Sequence, residues 1–175
     1  MVVVVIIGIL ATMFLPRLAK REPGSKWEDI TEEINNLVNY ARQEAIANHK
    51  NYRLHFKSNR YEQDLVEVEE EGHDPEKPQK IVYQSVTSDY FSPKYLIPKN
   101  TNFEAFYIGK EEQFADNKGN AYCHIIPNGL VQEVLIHISQ DQETKEGEQI
   151  SSEMSLKMSP FFGRFELSEG FMKAR

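Results

Sequence analysis

The chemistry within reach of this chain rests on five histidines, one cysteine and one dense run of carboxylates. His55, His124 and His137 fall in stretches that alternate apolar and polar residues. A histidine so placed is satisfied by a neighbour or faces solvent, rather than ligating a metal. Cys123 lies beside apolar neighbours and reads as a small core residue. Glu69-Glu-Glu-Gly-His-Asp-Pro-Glu76 reads as an acidic loop. Several converging oxygens could hold calcium, but the spacing fits no calcium-binding loop, so the expectation is a solvated one. Asp116-Asn-Lys-Gly-Asn120 carries turn chemistry. There is no Gly-x-Ser-x-Gly, no P-loop, no dinucleotide fingerprint and no His-Glu-x-x-His. The sequence therefore predicts no catalytic, cofactor-binding or metal-ligating residue, no cofactor and no enzyme. Phe161-Phe162 could form an interface patch, but core packing is the expectation.

The elements that must position these residues begin with an apolar run, Met1 to Pro16. It holds no charge, and only Gly8, Thr12 and Pro16 interrupt it. Such a run inserts in a membrane, packs among similar helices, or is cleaved away. At about 1.5 Å per helical residue it would span about 24 Å, slightly less than the roughly 30 Å of a bilayer core. Extension through Leu18 and Ala19 nearly closes that gap. Arg17, Lys20 and Arg21 follow directly, as at a membrane boundary. A secretory signal fits poorly, because no basic region precedes the run and no small-x-small site follows it.

Pro23-Gly24 ends or bends this first helix. Ser25-Lys-Trp-Glu28 has capping-box spacing and predicts a second helix over 26–48. Its apolar residues Trp27, Ile30, Ile34, Leu37, Val38, Ala41 and Ala45 recur at three-four spacing. That stripe should pack on a sheet, with Ile30, Ile34, Leu37, Val38 and Ala41 as the packing residues. From Tyr52 the period becomes two. Strands are expected at Tyr52–Phe56, Tyr61–Val68, Lys80–Val86, Phe103–Ile108 and Asn120–Ile126, and a loop over 140–149 leads to Ile150–Met158.

Net charge is -7. Removing the +3 of Arg17, Lys20 and Arg21 leaves -10 for the remainder. Phosphate binding needs clustered cations, so nucleic acid is disfavoured as a partner. With one cysteine no internal disulfide forms.

Val3-Val-Val-Ile-Ile-Gly8-Ile-Leu-Ala-Thr with Leu15-Pro16-Arg-Leu resembles the N-terminal helix of type IV pilins and type II secretion pseudopilins, which keep the same Gly-to-Pro spacing. Asn36-Leu-Val-Asn-Tyr-Ala-Arg-Gln-Glu-Ala-Ile46, running into Tyr52-Arg-Leu-His-Phe56, resembles the H-type minor pseudopilins and their FimT-like relatives. His124-Ile-Ile-Pro-Asn-Gly129 with Leu135-Ile-His-Ile138, and the closing Gly163-Arg-Phe-Glu-Leu167, are similar to the late hairpin and last strand of that family. The family also has a basic leader, a cleavage site and a glutamate. Met1 aligns inside the mature helix, so either the start is placed too far downstream, and the reading frame continues upstream as expected, or the chain has lost its processing signal.

The resemblance implies an α+β, pilin-like fold: a long hydrophobic N-terminal helix over 1–21, then a globular domain over 22–175. In that domain the second helix packs on one antiparallel sheet of six to eight strands. Val5, Ile6, Ile7, Gly8, Ile9, Leu10 and Pro16 would form the assembly helix. The implied function is a structural minor pseudopilin of a type II secretion system. Its implied partners are other pseudopilins and the inner-membrane assembly platform. The implied location is the bacterial inner membrane, single-pass, with the domain in the periplasm. The positive-inside rule applied to Arg17, Lys20 and Arg21 would instead hold that side in the cytoplasm. The alternatives are a FimT-like minor pilin for DNA uptake and a membrane-anchored binding domain outside any filament.

Overall fold

The computed structural model describes residues 26–59, 62–143 and 149–174. Helix α1 spans Lys26–Asn48. Its three-four stripe is buried along its whole length: Ile30, Ile34, Leu37, Val38, Ala41 and Ala45 are each at most 2% exposed. Glu28 and Asp29 stand in the first turn, where negative charge complements the helix dipole. His49 follows α1 at φ +52°, a left-handed residue that lets the chain turn into the first strand.

Among the described residues ten strands follow: β1 Tyr52–Lys57, β2 Leu65–His73, β3 Ile81–Ser85, β4 Lys94–Leu96, β5 Thr101–Ile108, β6 Glu111–Glu112, β7 Asn120–Ile125, β8 Leu135–Glu143, β9 Gln149–Ser159 and β10 Arg164–Glu169. A single turn of helix, α2 at Gln113–Asp116, lies between β6 and β7. The strands form two antiparallel sheets. One runs β3-β2-β1-β7, with β4 also paired to β2; the other runs β10-β9-β8-β5-β6. Period-two alternation gives each sheet one apolar face. Tyr52, Leu54 and Phe56 of β1, with Ala121, Cys123 and Ile125 of β7, are buried in the core. Phe103, Phe106, Ile136, Ile138, Leu156, Met158 and Phe165 supply the second sheet's share. Phe56 joins the two, its ring centroid lying 5.6 Å from Phe103, 5.2 Å from Phe106 and 6.2 Å from Phe165.

This architecture corrects the expected α+β, pilin-like fold. The described chain is mostly β, with two sheets in place of one and α1 as its one long helix. Alternation tells that a strand buries one face, but not whether a helix or a second sheet covers it. Glu69–His73, expected in a loop, belong to β2. Lys94–Leu96, in a stretch read as irregular, form β4. The single-pass inner-membrane location is corrected as well: among the described residues no helix is long and apolar enough to cross a membrane. The one long helix, α1, is amphipathic and charged along its outer face. The expected assembly residues Val5, Ile6, Ile7, Gly8, Ile9, Leu10 and Pro16, and the expected cap Ser25, lie outside the described residues.

Candidate functional site

The outer face of the first sheet gathers the chain's densest polar chemistry. Tyr52, Leu54 and Phe56 point inward, so Arg53, His55 and Lys57 point outward. On β2 the same logic places Glu67, Glu69 and Glu71 outward. The register sets Arg53 opposite Glu69 and His55 opposite Glu67. On the other side of β1, His55 faces Tyr122 and Arg53 faces His124.

The contacts are close. Arg53 Nε donates to Glu69 Oε2 at 2.6 Å, and its Nη2 stands 2.6 Å from the same oxygen. Its guanidinium is stacked between two rings, 4.0 Å from the Tyr83 centroid and 3.8 Å from that of Tyr122, a cation–π arrangement. Lys57 donates to Glu67, and Ser85 Oγ donates to the other Glu67 oxygen at 3.4 Å. His55 Nδ1 lies 2.8 Å from Glu69 Oε1, and Nε2 lies 2.9 Å from Asn120 Oδ1. The Asn120 amide is oriented by its own donation to the carbonyls of Asn117 and Lys118. Both ring nitrogens of His55 are therefore held in place by side-chain oxygens of β2 and β7.

Burial pushes the Glu69 carboxyl up, but hydrogen bonds from His55 and Arg53, with the charges of the same groups, hold it below the usual carboxylate range. Burial, then the Arg53 charge, holds His124 below the ordinary histidine value.

His55 Nδ1 and one oxygen each of Glu67 and Glu69 lie within 4.8 Å of one another, the one group among the described residues that could hold a metal ion. The donors are already occupied. Glu67 and Glu69 are matched by two permanent cations, Lys57 and Arg53, and each imidazole nitrogen already stands at hydrogen-bond distance from an oxygen. A divalent ion here would have to displace Lys57 and meet the positive charge of Arg53. The cluster is a charge-compensated staple between β1, β2 and β7.

The other sequence-singled residues do not converge on it. His137 donates to the carbonyl of Met172 at 2.9 Å, with Phe171 stacked on its ring at 4.4 Å, which straps the C-terminal tail to the second sheet. His49 and His73 are exposed. Cys123 is fully enclosed, and burial pushes its thiol up to about 12, which removes it as a nucleophile at neutral pH.

Phe161 and Phe162 contradict the core-packing expectation, being 83% and 72% exposed. They sit in the turn between β9 and β10, where Phe165 is the residue that enters the core. Arg42 of α1 fixes that turn, with Nη1 donating to the Phe162 carbonyl at 3.0 Å and Nε to the Gly129 carbonyl at 2.9 Å. Gly163, at φ +61°, leaves the space the guanidinium occupies; a Cβ there would collide with it. On the other side of Arg42, Ile46 packs so close to Gly129 that an added Cβ would meet its Cδ1 at 2.8 Å. Ile46, Ile126 and Leu130 remain 49%, 42% and 41% exposed. Five exposed large apolar residues thus lie on the helix end and the two turns that Arg42 joins.

Comparison with known protein families, with characterised proteins and with solved structures gives no match. The reading of function therefore rests on the two surfaces just described. Neither was identified from the sequence. The staple had a signal in the complementary alternations Arg53-x-His55-x-Lys57 and Glu67-x-Glu69-x-Glu71. The apolar patch had one in the Phe161-Phe162 pair, weighed as an interface and set aside for core packing; its link to α1 had none, since Arg42 reaches turns 87 and 120 positions away.

Proposed function

We propose that this chain is a structural subunit that acts by protein–protein contact, of the minor pseudopilin kind that builds the filament of a type II secretion system. The observation that carries the reading is the Arg42-centred patch. Phe161 and Phe162 stand well out from the turn that Arg42 holds, and exposed apolar groups gathered on one surface mark interaction sites. The polar cluster on the other surface is internally paired and leaves little for a substrate to bind. The family-like segments also bear on the patch: Ala41–Ala45 carries Arg42, and Gly163 opens the space that Arg42 fills. The partners on this reading are other pseudopilins and the platform that assembles them.

The test is co-expression of the full chain with the pseudopilins of one secretion system, followed by affinity purification. The native chain should bring them down. The double variant Phe161→Ser/Phe162→Ser should lose them while its melting temperature stays put, because exposed side chains contribute little to stability. Failure of the native chain to retain any pseudopilin would remove the proposal.

A further inference from the structure

The outer side of β3 offers a row of backbone hydrogen bonds that no described residue takes up. We infer that this edge pairs with β3 of a second copy of the chain, antiparallel about a two-fold axis at Tyr83, in a contact independent of the Arg42-centred patch.

The bonding between β2 and β3 tells which way each residue of β3 faces. The Asp74 N–H donates to the Lys80 carbonyl, and the Val86 N–H to the Val68 carbonyl. Between these two pairs the register sets Gly72 opposite Val82 and Glu70 opposite Gln84. The even-numbered positions of β3 therefore spend their backbone groups on β2. Hydrogen-bonded and non-hydrogen-bonded pairs alternate along an antiparallel ladder. The N–H and C=O of Ile81, Tyr83 and Ser85 thus face away from the sheet, and none of them has a partner among the described residues.

Elsewhere such outward groups are occupied. On β5, where β6 does not reach, Asp64 accepts the Phe103 N–H and Ser58 Oγ donates to its carbonyl at 3.2 Å. On β7, Gln132 serves both groups of His124: its Oε1 accepts the N–H at 3.2 Å, and its own N–H reaches the carbonyl at 2.8 Å. β3 has no such guard, and it lacks the charges and prolines that blunt an exposed edge. From Ile81 to Ser88 the sequence holds neither, and Ile81, Gln84 and Ser85 are exposed. An open row of this kind is matched by an extended strand.

The edge's own residues select a second copy as that strand. Centred on Tyr83, the pairing sets Ile81 of one copy opposite Ser85 of the other, and Tyr83 opposite Tyr83. Each of these pairs can exchange both of its hydrogen bonds. The two tyrosines meet as an aromatic cross-strand pair, each ring already held against its own Arg53. No like charges come face to face along the uncharged stretch. Lys80 precedes β3 and Asp89 follows it. Antiparallel pairing draws Lys80 of one copy toward Asp89 of the other, whereas parallel pairing would set like beside like. The contact uses the same patch on both copies, so it closes at two. Five paired residues make a small interface, so the dimer is a reversible one.

The test uses the full chain in mild detergent, in two differently tagged forms, one carrying Val82→Cys and the other Gln84→Cys. The inferred register sets these positions opposite each other as a non-hydrogen-bonded pair, with Cα atoms about 4.5 Å apart, within disulfide reach. Cys123 is fully buried and does not compete. Under mild oxidation the expected product is a disulfide between the two forms. It should be in about tenfold excess over links between copies of one form, whose cysteines would stand diagonally across the pair. Ile81→Pro in both forms removes an outward N–H and no bond to β2, so the yield should fall about tenfold while the melting temperature of the reduced protein stays put. The preference between the two forms decides the matter even where the proline variant folds less well. No disulfide, a statistical mixture of all three links, or an undiminished yield with Ile81→Pro would each overturn the inference.

Discussion

The carboxylate of Asp64 accepts the backbone N–H of Phe103 at 2.6 Å, across 39 residues of sequence. Its other oxygen accepts the N–H of Asn59 at 2.8 Å. One buried side chain thereby ties the loop between β1 and β2 to β5 of the second sheet. The side chain is 3% exposed, and burial pushes its carboxyl above the usual range, although the two N–H donors oppose that shift.

Asp64→Asn should therefore destabilise the domain by about 1–3 kcal/mol, since the amide turns one acceptor into a donor that faces an N–H. Because the folded-state pKa of Asp64 is raised, its contribution is greatest below the unfolded value and falls as pH rises through the folded one. The gap between native and variant should thus widen from neutral pH toward acid. Urea titrations at several pH values measure it, and a gap that narrows toward acid would contradict the assignment.

Glu69 should behave in the opposite sense. Its carboxyl is held low, so its contribution is present above the unfolded value and is lost as pH falls through the folded one. Glu69→Gln should cost roughly 1.5–3 kcal/mol near neutral pH, the range for hydrogen bonds to charged groups, and should flatten the acid side of the stability curve. Equal acid slopes in both proteins would mean that the staple on the first sheet contributes nothing.

Leu37→Ala should cost about 2–5 kcal/mol, the usual range for truncating a buried leucine, since Leu37 is 2% exposed. Asn36→Ala, on the solvent side of α1, should change little. Thermal melts that shift equally for the two would show the helical stripe to be misplaced.

The described domain should not bind DNA at physiological salt. Arg53 and Lys57 are bound to Glu69 and Glu67, and Arg164 shares β10 with Glu166 and Glu169. A mobility shift that is tight and falls steeply with salt would favour the DNA-uptake alternative instead.

The legible parts of this fold were those governed by local period. The three-four stripe from Trp27 to Ala45 marks α1, and the alternation from Tyr52 marks β1. What was not legible depends on contacts between distant segments. Nothing near Asp64 in sequence announces that its oxygens serve Phe103. Asn35 and Asn36 are the same residue type in adjacent positions, yet only Asn35 reaches β10, donating to the Phe165 carbonyl at 3.1 Å and accepting the Phe165 N–H at 2.6 Å. Phe161 and Phe162 looked like core because large aromatic residues usually are. Their exposure follows from a turn whose shape is set by Arg42, more than a hundred residues away.

The Asn35 pairing bears on how these domains avoid cross-β stacking. β10 is the last strand of its sheet, and its free edge would present unpaired N–H and C=O groups to any extended chain nearby. At Phe165 the side-chain amide of Asn35 fills both hydrogen-bonding positions, much as a neighbouring strand would. Strand addition is blocked there by a single helical side chain. Replacing Asn35 with leucine would reopen that edge, and the first sign would be amyloid-type aggregation rather than loss of the native contacts.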